Sequence, residues 1–128
     1  MSLEIIHTDK APAAIGPYSQ AIKVGSWIYV SGQIALAPST GELVGDKLED
    51  QARQVLSNLL QILRAADFAL TDVVSVDVFL TDISQFSSFN QIYGEFFASH
   101  KPARAVVEVK ALPRAAKVEV KCVAFRNE

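Results

Sequence analysis

Arg104 and Glu119 are the two residues whose types and surroundings best suit chemistry. Each stands inside a stretch that otherwise reads as a strand. Arg104 follows Pro102-Ala103 and precedes Ala105-Val106-Val107. A guanidinium is always charged, and its planar fork of donors matches a carboxylate two bonds at a time. Glu119 lies between Val118 and Val120, where a carboxylate could take a proton from water. Both residues also fit plain structural readings. Arginine is mostly a surface residue, and Glu119 could simply pair with Lys110 on a neighbouring strand.

Other positions are weaker candidates. Tyr18 ends the loop Ala11-Pro12-Ala13-Ala14-Ile15-Gly16-Pro17, whose prolines and glycine forbid regular structure. Tyrosine there binds something or packs the loop down. Ser31-Gly32 interrupts an apolar strand, and a glycine so placed permits close approach or marks a bulge. Asn90 lies between Phe86 and Tyr93, either with a polar partner or at a wet helix edge.

Several chemistries find little support. His7 and His100 have no nucleophile signature beside them. The glycines match neither a phosphate-binding loop nor a dinucleotide fingerprint. No metal-ligand cluster is visible, and a single cysteine, Cys122, excludes an internal disulfide and a Cys-built zinc site. The net charge is −2 with no basic block, so neither nucleic acid nor an anionic membrane is the expected partner. The lone cysteine and an opening without a secretory pattern point to the cytoplasm.

These residues need a frame, and 128 residues suffice for one domain, 1–128. Short strands are expected at Ile5–His7, Ser19–Val24 and Trp27–Ile34, with Gly25-Ser26 as a hairpin turn. A helix is expected over about 47–66, where Leu48, Ala52, Val55, Leu56, Leu59 and Leu63 form one stripe. Asp46 and Glu49 resemble a capping box for it. Residues 73–80 alternate as a strand. A second helix over about 84–99 carries Phe86, Phe89, Tyr93, Phe96 and Phe97, and Pro102 prevents its continuation. Strands over about 104–111 and 117–126 close the chain.

This order gives an α+β domain, a mixed sheet with both helices on one face. The covered face should carry Ile28, Val30, Val74, Val76, Val78, Val107, Val109, Val118, Val120 and Cys122. Strand parity then sends Trp27, Tyr29, Ser31, Gln33, Ser75, Asp77, Phe79, Arg104, Val106, Glu108, Glu119 and Lys121 to the other face. No element remains to cover that face, so a second copy of the chain is expected there. In the last hairpin, charge pairing favours Glu108 beside Lys121 and Lys110 beside Glu119. That register separates Arg104 from Glu119 by roughly 20 Å along the strands. If both serve one small ligand, they come from neighbouring chains.

The segments Ala14-Ile15-Gly16-Pro17-Tyr18-Ser19-Gln20-Ala21, Val30-Ser31-Gly32-Gln33-Ile34, Pro102-Ala103-Arg104-Ala105, Leu112-Pro113 and Val118-Glu119-Val120 together resemble the Rid family. These are the reactive intermediate (enamine/imine) deaminases, also called the YjgF family, and the resemblance covers nearly the whole chain. It implies a chorismate-mutase-like fold and a homotrimer with sites in the clefts between subunits. It implies hydrolysis of short 2-imino acids, such as 2-iminopropanoate and 2-iminobutanoate, to 2-oxo acids and ammonia, with no cofactor and no metal. In that family's terms Arg104 matches the residue that binds the substrate carboxylate and Glu119 the one associated with the hydrolytic water. Tyr18, Ser31, Gly32 and Asn90 match pocket-lining positions. Val106 stands where well-known members have Cys, so only a backbone N–H contact to ligand carries over. Lys121 stands where many members have Glu. Because of these departures, a paralogue that binds 2-oxo acids without turnover, or acts like a chaperone, is the alternative.

Overall fold

The computed structural model describes residues 2–127. Strands β1 (Leu3–Ile6), β2 (Ala21–Val24) and β3 (Trp27–Gln33) come first. Helix α1 (Leu48–Ala65), strand β4 (Val73–Leu80), helix α2 (Phe86–Phe97), strand β5 (Ala103–Glu108) and strand β6 (Val118–Phe125) follow. The sheet has six strands in the order β1-β2-β3-β6-β4-β5. Only β4 and β5 pair in parallel, because α2 carries the chain back between them. The expected α+β layering is what forms, with α1 and α2 packed together over one face.

The helices are held by their stripes. Leu48, Ala52, Val55, Leu56, Leu59 and Leu63 are all buried on α1. Each buried leucine contributes roughly 1.5–3 kcal/mol relative to exposure. On α2 the buried residues are Phe89, Ile92, Tyr93 and Phe97. The expected capping box does not form: Lys47 is the N-cap of α1, without a side-chain bond. Buried Gln51 ties that end down instead, donating to the Gly45 carbonyl at 2.7 Å and accepting from the Lys117 N–H at 2.8 Å. Ahead of α2, the Asp82 side chain accepts from the Ser84 backbone N–H at 3.0 Å.

Ile28, Val30, Val76, Val78, Val118, Val120 and Cys122 lie in the core as expected. Burial pushes the Cys122 thiol up to about 12, so it is an inert packing group. Three expectations about the sheet fail. β5 and β6 do not form a hairpin, because β4 lies between them. Lys121 therefore faces Asp77, and Glu108 instead accepts a bond from the Ile83 N–H at 2.8 Å. The parity of β5 is also the reverse of that expected. Arg104 registers with Val76 and Val106 with Val78, both buried under the helices. Arg104, Val106 and Glu108 thus belong to the helix side, and Val107 is turned out and 45% exposed. Lastly, irregularities at Ser31–Gly32 and at Val74 shift two strands. Gln33 becomes buried beside Val120 rather than lying on the open face, and Val74 is exposed while Val73 takes the core position.

Candidate active site

The chemistry-bearing residues fall into two groups on opposite sides of the sheet. The first surrounds Glu119. β6 places this residue beside Phe79 on the open face, near the irregularity in β3. Glu119, Gly32, Ser31 and Tyr18 line one cavity of about 640 Å³, together with Ile15 and Arg114. A Cβ added at Gly32 would meet the Glu119 carboxylate, which would have to swing aside. The carboxylate therefore lies directly over the backbone of the bulge.

Several bonds shape the rim of this cavity. The Ser31 hydroxyl donates to the Ser19 carbonyl at 2.6 Å, and the Ser31 N–H donates to the Gln20 carbonyl at 2.9 Å. Buried Gln20 clamps the preceding loop, accepting from the Thr8 N–H at 2.7 Å and donating to the Pro12 carbonyl at 2.8 Å. Gly16, at φ +127°, makes the bend that only glycine adopts easily, and the Tyr18 N–H closes it onto the Gly16 carbonyl at 2.9 Å. Tyr18 itself is 53% exposed at the rim.

Burial raises the pKa of Glu119 above the ordinary glutamate value, and nearby Lys121 offsets this only in part. The expected ion pair with Lys110 is not formed among the described residues. A partly desolvated carboxylate without a bonded cation is a stronger base than one in water.

The second group surrounds Arg104. As an edge strand, β5 leaves this side chain exposed, and it turns towards α2. Its Nη1 donates to Asn90 Oδ1 at 2.7 Å. Its guanidinium carbon lies 4.6 Å from the Tyr93 ring centroid and 5.6 Å from that of Phe86. Val106 lies two residues along the same side of β5, partly buried against the core. So Asn90 does have a polar partner, while the aromatic stripe does more than fill the core.

Within one chain the two groups do not meet. By the pairing through β4, Arg104 and Glu119 are two strands apart and three residues out of step. That puts their Cα atoms roughly 14 Å apart, with the side chains on opposite faces. They are separated by the faces of the sheet, not by the hairpin register the charges suggested.

Three residues join the site without a signal from their type alone. Arg114, between the last two strands, lines the Glu119 cavity in a left-handed conformation, φ 62°. Phe86 and Tyr93, expected only to pack the second helix, stack on the Arg104 guanidinium. Their positions three and four residues either side of Asn90 were the available signal, since such residues share a helix face. His7 contacts exposed Asp9, and His100 bonds the Val73 carbonyl at 2.7 Å. No group of three or more potential metal ligands occurs among the described residues.

Residues 8–126 match the pattern that defines the endoribonuclease L-PSP family. The chain belongs to that family. A human relative named 2-iminobutanoate/2-iminopropanoate deaminase is 47% identical over 123 residues, covering 96% of this chain and 90% of its own length. The E. coli YjgF gene product superimposes with a TM-score of 0.93 at 42% identity, covering 97% of this chain and 99% of its own. The structure of E. coli TdcF with bound serine gives a TM-score of 0.92 at 41% identity, with the same coverage of 97% and 99%. The YjgF/Rid membership read from the motifs therefore holds, and the two E. coli structures share the fold throughout.

Proposed function

We propose that this chain is a hydrolytic deaminase of short 2-imino acids, with its sites formed between copies in a homotrimer. The observation that carries the proposal is the division of the site. Glu119 is a partly desolvated base in a cavity that Arg114 also lines, and Arg104 is a fork held by Asn90 and two rings on the opposite side of the sheet. Contact between the β5 edge of one copy and the open face of the next would set the Arg104 group against the Glu119 cavity. The open face carries exposed Trp27 and Tyr29, the kind of surface a second copy covers. The name of the human relative and the serine bound to TdcF both point to small amino-acid-like ligands.

The chemistry follows from these groups. Arg104 pairs with the carboxylate of 2-iminopropanoate or 2-iminobutanoate and fixes the C=N carbon in place. Glu119 accepts a proton from a water as its oxygen bonds to that carbon. The π electrons of the C=N bond move to nitrogen, which takes up a proton and gives a carbinolamine. Glu119 returns its proton to the amine, the carbinolamine hydroxyl loses one as the C=O bond forms, and ammonia leaves. The products are a 2-oxo acid and ammonia. Tyr18, Ser31 and Gly32 wall the cavity, and the Val106 backbone and Asn90 flank the carboxylate end. Cleavage of RNA, which the family's description names, fits less well: the net charge is −2, and Glu119 would repel a phosphate.

The direct test couples the purified protein to a threonine dehydratase and follows 2-oxobutanoate release. Faster release with the wild-type chain, and none beyond the uncatalysed rate with a folded Arg104→Ala variant, is the expected result. Tight 2-oxobutanoate binding with no acceleration would replace the enzyme by a binding module.

A further inference from the structure

We infer that Phe86 and Tyr93 are positioning residues that hold the Arg104 guanidinium flat and ready for a carboxylate, a role that rests on Arg104 being the carboxylate ligand. Phe86, Asn90 and Tyr93 follow one another at spacings of four and three along α2 and share one face. Arg104 crosses that face from the neighbouring edge strand. Its guanidinium carbon is 4.6 Å from one ring centroid and 5.6 Å from the other, within the roughly 6 Å range of cation–π attraction. Asn90 takes one Nη1 hydrogen at 2.7 Å. An arginine has five N–H donors, so the plane keeps most of its fork free for a ligand.

The Tyr93 ring is itself fixed. Tyr93 is buried, with its ring centroid 5.8 Å from that of Phe89 and 4.8 Å from that of Phe97. The Tyr93 hydroxyl has no hydrogen-bond partner in the described chain, so the part of Tyr93 that acts on Arg104 is the ring. A long, exposed arginine otherwise gives up substantial rotamer freedom when it binds. Ordering it beforehand on two aromatic faces lowers that cost and raises affinity without adding a contact to the ligand.

Two readouts test this in the intact protein. The first is affinity for 2-oxobutanoate by calorimetry. Tyr93→Leu and Phe86→Leu each weaken binding by about three- to thirty-fold, and Tyr93→Phe, which keeps the ring, restores it. The second is 15N relaxation of the Arg104 Nε–Hε group in the ligand-free protein. Arg104 is ordered in the wild type and in Tyr93→Phe, and mobile in Tyr93→Leu. Phe86 is only partly buried, so Phe86→Leu provides a folded variant should Tyr93→Leu melt early. An Arg104 equally ordered in wild type and both leucine variants would overturn the inference. Affinity unchanged in both folded leucine variants would overturn it too. A wild type that binds no 2-oxo acid although Arg104 order depends on the rings would instead remove the carboxylate reading and leave the platform standing.

Discussion

The Arg104 side and the Glu119 side of the sheet solve opposite problems. Arg104 is a permanent charge on an exposed edge strand, so solvation costs it little and the difficulty is order. Asn90 and two aromatic rings supply that order. Glu119 is short, and Gly32 lets it lie close over the backbone, so order costs it little. Its difficulty is solvation, and burial leaves it more basic than a surface glutamate. On the proposed reading, the Arg104 half is prepared for ligand by stacking and the Glu119 half for proton transfer by desolvation. Removing groups from the first should act mainly on binding, and from the second mainly on the chemical step.

The largest expected effect comes from Arg104→Ala. Losing one partner of a charge pair that the bound ligand desolvates costs about 2–5 kcal/mol, so kcat/KM should fall by roughly one and a half to three and a half orders of magnitude. Steady-state kinetics at varied imine supply measures this. Glu119→Gln should reduce kcat by about 10²–10³-fold while 2-oxobutanoate binding stays within a few-fold of wild type. A comparable loss of binding would blur the division between the halves. Gly32→Ala comes next. Its methyl group must displace the Glu119 carboxylate, a flexible group, so the fold survives while kcat drops about 10- to 100-fold. Thermal melting within a few degrees of wild type would separate this from unfolding.

The smallest effects concern pH. If Arg104 pairs with the substrate as proposed, the acid limb of kcat reports Glu119 and should fall above the ordinary glutamate value of 4.5. Stability follows the same shift. A carboxyl whose folded pKa is raised favours the folded state fully only below its unfolded pKa, and that contribution is lost as pH rises through the folded pKa. Glu119→Gln should therefore melt slightly higher than wild type near pH 7, and the gain should vanish below about pH 4. Equal melting temperatures across that range would mean that Glu119 is not desolvated in the assembled protein.

The sequence made the two halves unequally legible. On the Glu119 side, the clean alternation of Val118, Val120 and Cys122 forces their partner to the other face, so its placement is readable. On the Arg104 side, Ala103-Arg104-Ala105-Val106-Val107 has no such alternation, and parity depends on what β5 pairs with. That partner, β4, is reached by a parallel crossover that cross-strand charge matching does not reveal. The helices were readable because their stripes bury continuous surface. Irregularities at Ser31–Gly32 and at Val74 were not, since one extra residue reverses every side chain beyond it.

On the proposed reading, Arg104 and Glu119 act together only when they come from different copies. Subunit complementation tests it most directly: Arg104→Ala and Glu119→Gln chains, each inactive alone, are co-expressed in equal amounts and the mixed assemblies purified. Each mixed trimer then carries one wild-type site in three, about a quarter of sites over the whole randomly assorted population, when the two residues come from neighbouring copies. If both residues had to come from the same chain, no mixed site would carry the pair. Mixed assemblies as inactive as either parent would contradict the account.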